Sequence, residues 1–220
     1  MFREARKHTL IEWGFTRFNR WFLKKHFESI RVASPPEVAS RNVLFLINHS
    51  SWWDPLIIFH LNERLVQSDA YGMMGEEGIR RFPFFRSIGA FSVDKTDRRH
   101  LLESLKYSIR LLERQRTVWI FPQGEEQHQE KRPLEFFSGI SYIAEKTPDV
   151  KVVPVSIYYS LEHTRKPNAY IEIGNPLPEN EYLPLNRKQM TNYFEKCATD
   201  QLDRLREKVR TEDHRTFRNL

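Results

Sequence analysis

The longest unbroken apolar run in this chain is Val43–Ile47, and it passes directly into Asn48-His49-Ser50-Ser51-Trp52-Trp53-Asp54-Pro55. Five residues fall far short of the roughly 18 that a membrane-spanning helix needs. The run reads instead as a buried strand. Pro55–Leu61 behind it reads as a helix with proline in its first turn. The alternation repeats down the chain. Strands are expected at Ala70–Met74, Ala90–Val93, Thr117–Phe121, Val152–Tyr158 and Tyr170–Ile173. Helices are expected at Arg99–Arg114, Ser138–Lys146 and Arg187–Val209, with Glu76–Phe85 a short helix or loop. Phe194, Ala198, Leu202, Leu205 and Val209 share one face of the closing helix, a pattern that suits ordinary packing. This order predicts an α/β fold with a mixed, largely parallel sheet flanked by helices.

The 220 residues suffice for one domain with an appendage. At 40% hydrophobic and 29% charged, the composition excludes wholesale disorder. The single cysteine, Cys197, excludes an internal disulfide framework and a cysteine-based zinc cluster, and fits a reducing cytoplasm. Charges interrupt the N-terminus throughout, so no secretory leader is expected.

The net charge of +6 is concentrated at one end. Residues 1–31 hold eight basic and three acidic side chains, +5 of that total, together with seven aromatic rings. Ile11, Phe15, Phe18 and Phe22 form a helical stripe bordered by Gly14 and Trp21, with Arg17, Arg20 and Lys24 opposite. Trp13 and Leu23 fall off the stripe. An aromatic face opposed by a basic one suits a helix lying in a membrane interface, and suits equally a helix packed on its own domain. Residues 1–34 are therefore expected to form an N-terminal amphipathic helical arm, with the α/β domain over 35–220 and a break at Pro35-Pro36. No nucleic-acid motif accompanies the basic residues, so nucleic acid is not an expected partner.

His49 follows the Val43–Ile47 strand, and Asp54 lies five positions on. On a continuous helix they would point apart. At a strand-to-helix turn they meet, and a carboxylate on one imidazole nitrogen leaves the other as a general base. Ser51 and Asp54 also fit a helix N-terminal cap. Adjacent residues on extended backbone point to opposite sides, which argues against a Ser50–His49 nucleophilic pair. Phe121-Pro122-Gln123-Gly124 closes a later strand, where glycine permits a tight turn or a close approach by a ligand. Lys95, Arg98 and Arg99 follow the Ala90–Val93 strand, where cations suit an anionic ligand or a solvated surface cluster. No His, Cys, Asp or Glu spacing suggests a metal.

In order, these segments resemble the glycerolipid acyltransferase family. Its H-x-x-x-x-D motif is here NHSSWWD, carrying His49 and Asp54. Its second motif reads GAFSVDK, with Lys95 where the family has Arg; its third reads FPQGEE; its fourth reads VVPVSI, with Pro154. The resemblance implies an O-acyltransferase in which His49 is the general base and Asp54 its support. Lys95, Phe121, Pro122, Gln123, Gly124, Glu125 and Pro154 would then contact substrate. It implies an acyl-CoA or acyl-carrier-protein donor, no further cofactor, and a lipid acceptor met at the cytoplasmic face of a membrane. The third motif departs from the pattern. Gln123 replaces Glu, Glu125 and Glu126 replace Thr and Arg, and Phe137 replaces a downstream Lys. The charge beside the acceptor is thus reversed unless Lys95, Arg98, Arg99, Lys131 or Arg132 compensates. A neutral hydroxyl, as on a glycolipid, then joins the lysophospholipids as an acceptor, with Gln123 and Glu125 bonding its hydroxyls. A hydrolase built on the same two residues and a non-enzymatic binder of anionic surfaces are the alternatives.

Overall fold

Val43–Ile47 (β2) lies at the centre of the sheet with all five side chains buried, as an uninterrupted apolar strand covered on both faces must. The computed structural model describes residues 2–35, 37–38 and 40–220. The expected break at Pro35-Pro36 therefore lies partly outside the described residues. Among them, the strands in chain order are Ser29–Ala33 (β1), β2, Ala70–Gly75 (β3), Ala90–Val93 (β4), Thr117–Ile120 (β5), Lys151–Ser160 (β6), Asn168–Ile173 (β7) and Arg218–Asn219 (β8). They form one sheet in the order β4-β3-β5-β2-β6-β7-β1-β8. The five strands from β4 to β6 run parallel to one another. β7 is antiparallel to β6, β1 is parallel to β7, and the short β8 is antiparallel to β1. The mixed, largely parallel α/β sheet is the expected fold.

Thr9–His26 (α1) and Asp54–Leu61 (α2) cover one face, where Phe45, Ile47, Val153, Val155 and Ile157 meet Phe15, Leu23, Ile57 and Leu61. Arg98–Glu113 (α4), Gly139–Lys146 (α5) and Arg187–Arg210 (α7) cover the other, around Leu44, Leu46, Val118, Ile120, Leu112, Ile143 and Phe194. Two shorter helices, Glu76–Arg81 (α3) and Glu179–Tyr182 (α6), lie between them in the chain. The α7 face holds as expected: Phe194, Ala198, Leu202, Leu205 and Val209 are all buried. Glu76–Phe85 divides into α3 and a 3₁₀ turn over Pro83–Ile88.

The N-terminal segment differs from the expected arm. α1 packs against α2 and the Pro83–Ile88 turn, and residues 29–33 are a strand of the main sheet. Its inward face is Phe15, Asn19 and Leu23, the last of which the sequence set outside the stripe. Asn19 is buried with its Nδ2 donating to the Leu56 carbonyl at 2.9 Å, while its Oδ1 has no partner among the described residues. Phe15 and Phe22 of the expected stripe pack inward, while Leu10, Ile11, Trp13, Phe18 and Trp21 are exposed. Among the described residues, no helix is long and apolar enough to cross a membrane.

Candidate active site

In a parallel sheet, loops at the carboxyl ends of the strands converge, and ligands bind there. His49 leaves the end of β2, Lys95 the end of β4, Phe121–Glu125 the end of β5, and Tyr159 is the penultimate residue of β6. Asn48 fixes the first of these exits. Its side chain takes the place of a further strand residue, donating to the Ile157 carbonyl at 2.9 Å and accepting from the Ile157 N–H at 2.7 Å. His49 is thereby held beside β6.

The His49 Nδ1 atom lies 2.8 Å from Asp54 Oδ2. The Asp54 side chain is fully buried, and that of His49 is 15% exposed. The same Oδ2 accepts the backbone N–H groups of Ser50 at 2.7 Å and Ser51 at 2.9 Å. An oxygen serving two obligate donors acts as an acceptor, so Nδ1 carries the proton in the His49–Asp54 bond. Nε2 of the neutral ring then holds a free lone pair. It makes no hydrogen bond among the described residues. The sequence offered a dyad and an N-terminal cap as rival roles for Asp54. The structure forms the dyad and not the cap: Asp54 is the first residue of α2, the cap position is Trp53 with no side-chain hydrogen bond, and Oδ2 holds the Ser50 and Ser51 N–H groups of the preceding turn instead.

The other carboxylate oxygen, Oδ1, accepts the Tyr159 hydroxyl. Burial pushes the Tyr159 phenol well above the usual tyrosine range, and the Asp54 charge pushes it further, so it remains a neutral donor. Phe121 stacks on the His49 ring with centroids 4.2 Å apart and planes 23° from parallel. The third motif clamps the His49 backbone. Its N–H donates to Gln123 Oε1 at 2.7 Å, and its carbonyl accepts the Gln127 N–H at 2.9 Å.

The structure thus gathers His49, Asp54, Phe121 and Gln123 directly. Gln123 corrects an expectation, because it is 2% exposed and its Nε2 donates to Gln127 Oε1 at 2.9 Å. Both ends of its amide are engaged within the protein, so it braces the loop rather than bonding an acceptor. Pro122 is buried, and its carbonyl accepts the Phe137 N–H at 2.9 Å. Gly124 has φ +68, where a side chain would be strained. Lys95 Nζ lies 3.5 Å from Glu125 Oε2. Pro154 is not brought to the dyad. It pairs with Leu46 in mid-sheet, with its ring beside Gly174. Ser50 Oγ is buried and has no partner among the described residues, so it makes no nucleophilic pair with His49.

The family model described as Acyltransferase matches residues 27–158. The chain belongs to the glycerolipid acyltransferase family. No curated protein matches it. The matched span of this acyltransferase contains both dyad residues and all four motifs, and it stops one residue short of Tyr159. Sequence reasoning missed Tyr159 and Gln127. A signal for the first was available, since Val153, Val155, Ile157 and Tyr159 alternate along β6 toward the His49 face.

Proposed function

We propose that this acyltransferase moves a fatty acyl group from an acyl thioester to a hydroxyl of a lipid acceptor, a lysophospholipid or a glycolipid, with His49 as general base. The acceptor hydroxyl approaches Nε2 and loses its proton as its oxygen attacks the thioester carbonyl carbon. When the tetrahedral intermediate collapses, the carbon–sulfur bond breaks and the new ester remains. The thiolate takes the proton back from the imidazolium. Asp54 supports the imidazolium through Nδ1 and fixes the tautomer. No acyl-enzyme is required, because the acceptor oxygen is itself the nucleophile. A base so placed contributes about 10²–10⁴-fold in rate.

The observation that carries this reading is the 2.8 Å His49–Asp54 bond with Nε2 left unbonded. The test is His49→Ala assayed with labelled acyl-CoA and acyl-carrier-protein thioesters and a total lipid extract. Transfer should fall by about 10²–10⁴-fold in a folded variant; undiminished transfer refutes the mechanism. Free fatty acid released at the full rate without acceptor would indicate the hydrolase instead.

The lipid acceptor is met at the cytoplasmic face of a membrane, where the protein is peripheral. What supports this is the outward face of α1. Trp13 and Trp21 are 59% and 58% exposed, and Trp52, between the dyad residues in sequence, is 54% exposed. Arg17 lies 4.2 Å from the Trp13 ring and Lys25 5.3 Å from the Trp21 ring, so cations stand among the exposed rings. Rings that enter the headgroup region beside cations that meet anionic lipid suit an interfacial helix.

A further inference from the structure

We propose that the acceptor presents a neutral, hydroxyl-bearing head, a glycerol or a sugar, rather than a phosphate monoester; this rests on the acyl-transfer reading above. A phosphate monoester carries nearly two negative charges at neutral pH and needs facing cations. Lys95 is the cation that β4 delivers to this end of the sheet, and it is already engaged. Its Nζ lies 3.5 Å from Glu125 Oε2 and 5.1 Å from the centre of the Phe137 ring. Gly124 makes the arrangement possible: a Cβ there would come within 3.0 Å of Lys95 Cδ and 3.1 Å of the Phe137 ring. The lysine stem thus runs past Gly124 and Phe137, and its ammonium meets a carboxylate.

Glu126 follows directly and makes no ion pair among the described residues. The remaining cations expected to compensate are mostly engaged elsewhere. Arg99 pairs with Glu103, Lys131 with Glu135, and Arg132 with Asp203 at 2.7 Å. Arg98, in the first turn of α4, makes no ion pair among the described residues. Even if its charge is counted with that of Lys95, two cations meet the two carboxylates of Glu125 and Glu126. A dianion gains no net attraction there. A hydroxylated head needs no such attraction to offset the loss of its water, and a carboxylate accepts its O–H groups.

The test uses the full chain, a mixture of labelled saturated acyl-CoA thioesters, and two acceptors in the same neutral micelles. Monoacylglycerol and lysophosphatidate of one chain length differ only in the phosphate. We expect kcat/KM to favour monoacylglycerol by about tenfold or more, from one carboxylate beside a dianion at near-surface dielectric. Glu125→Gln should release Lys95 and move the ratio toward lysophosphatidate by about tenfold, less at high salt. A preference for lysophosphatidate, or a ratio that Glu125→Gln leaves unmoved, overturns the inference while acyl transfer stands. Acylation of neither acceptor, with the thioester only hydrolysed, overturns the acyl-transfer reading, and this inference with it.

Discussion

Tyr159→Phe isolates one hydrogen bond in the site. The ring stays in its place beside Phe27, with centroids 6.0 Å apart, so little apolar burial is lost. What disappears is the hydroxyl that donates to Asp54 Oδ1. A hydrogen bond to a charged group contributes about 1.5–3 kcal/mol, and here its loss strands a buried carboxylate oxygen. For a chain of this length that corresponds to a fall in Tm of about 3–12 °C. Tyr159 touches Asp54 and not Nε2, so it is a positioning residue. We expect kcat for transfer to fall by about tenfold, with KM for the thioester changed by less than about threefold, as when a purely transition-state interaction is weakened. The deciding assay is a double-mutant cycle with Asp54→Asn. With a neutral partner the bond is worth only about 0.5–1.5 kcal/mol, so the Tyr159→Phe penalty in stability and rate should roughly halve on that background. An equal penalty on both backgrounds, or a Tyr159→Phe variant as stable and active as the parent, would refute the argument.

Burial lowers the His60 pKa to about 4, so the fold holds this imidazole neutral while the unfolded chain protonates it. Stability should therefore decline as pH falls through 6.5 and level off below 4, by about 3 kcal/mol in all; urea midpoints across this range should flatten in His60→Asn, and an unchanged slope would exclude His60 as the cause. Replacing the exposed Trp13, Phe18 and Trp21 together by Ser should reduce binding to vesicles containing anionic lipid by at least about tenfold without lowering Tm, because these rings are not in the core. The matching change at Phe15 and Leu23 should instead unfold the protein, at roughly 2–5 kcal/mol for each buried side chain. Vesicle binding that survives the loss of the exposed rings would remove α1 as the membrane contact.

The dyad was legible because its chemistry is local. A buried strand, a turn and a proline-started helix bring His49 and Asp54 together within five residues, and no distant element is needed to see it. The parallel sheet was legible for a similar reason, since apolar strands and amphipathic helices alternate. Tyr159 was not, because 105 residues separate it from Asp54 and only the placement of β6 beside β2 joins them. Gln123 was read by its type, as a polar group for a ligand, when its role follows from its burial and its bond to the His49 N–H. The orientation of α1 was misjudged because Asn19 counts as polar in any periodicity. Asn19 nevertheless lies on the inward face between Phe15 and Leu23, with its Nδ2 bonded to the Leu56 carbonyl. β1 was overlooked because its Ser29-Ile30-Arg31 start reads as surface, although Val32 and Ala33 are buried.

β2 has β5 on one side and β6 on the other; Phe121 and Gln123 follow β5, Tyr159 lies on β6, and Asp54 opens α2 just after β2. Amides in such a place exchange only through the largest openings a protein undergoes, whereas peripheral loops fray at little expense. The His49–Asp54 geometry should therefore have no partial failure of its own. In rising denaturant, turnover and secondary structure should vanish along a single curve, and solvent deuterium should reach the Phe45 and Leu46 amides only when the whole chain comes apart.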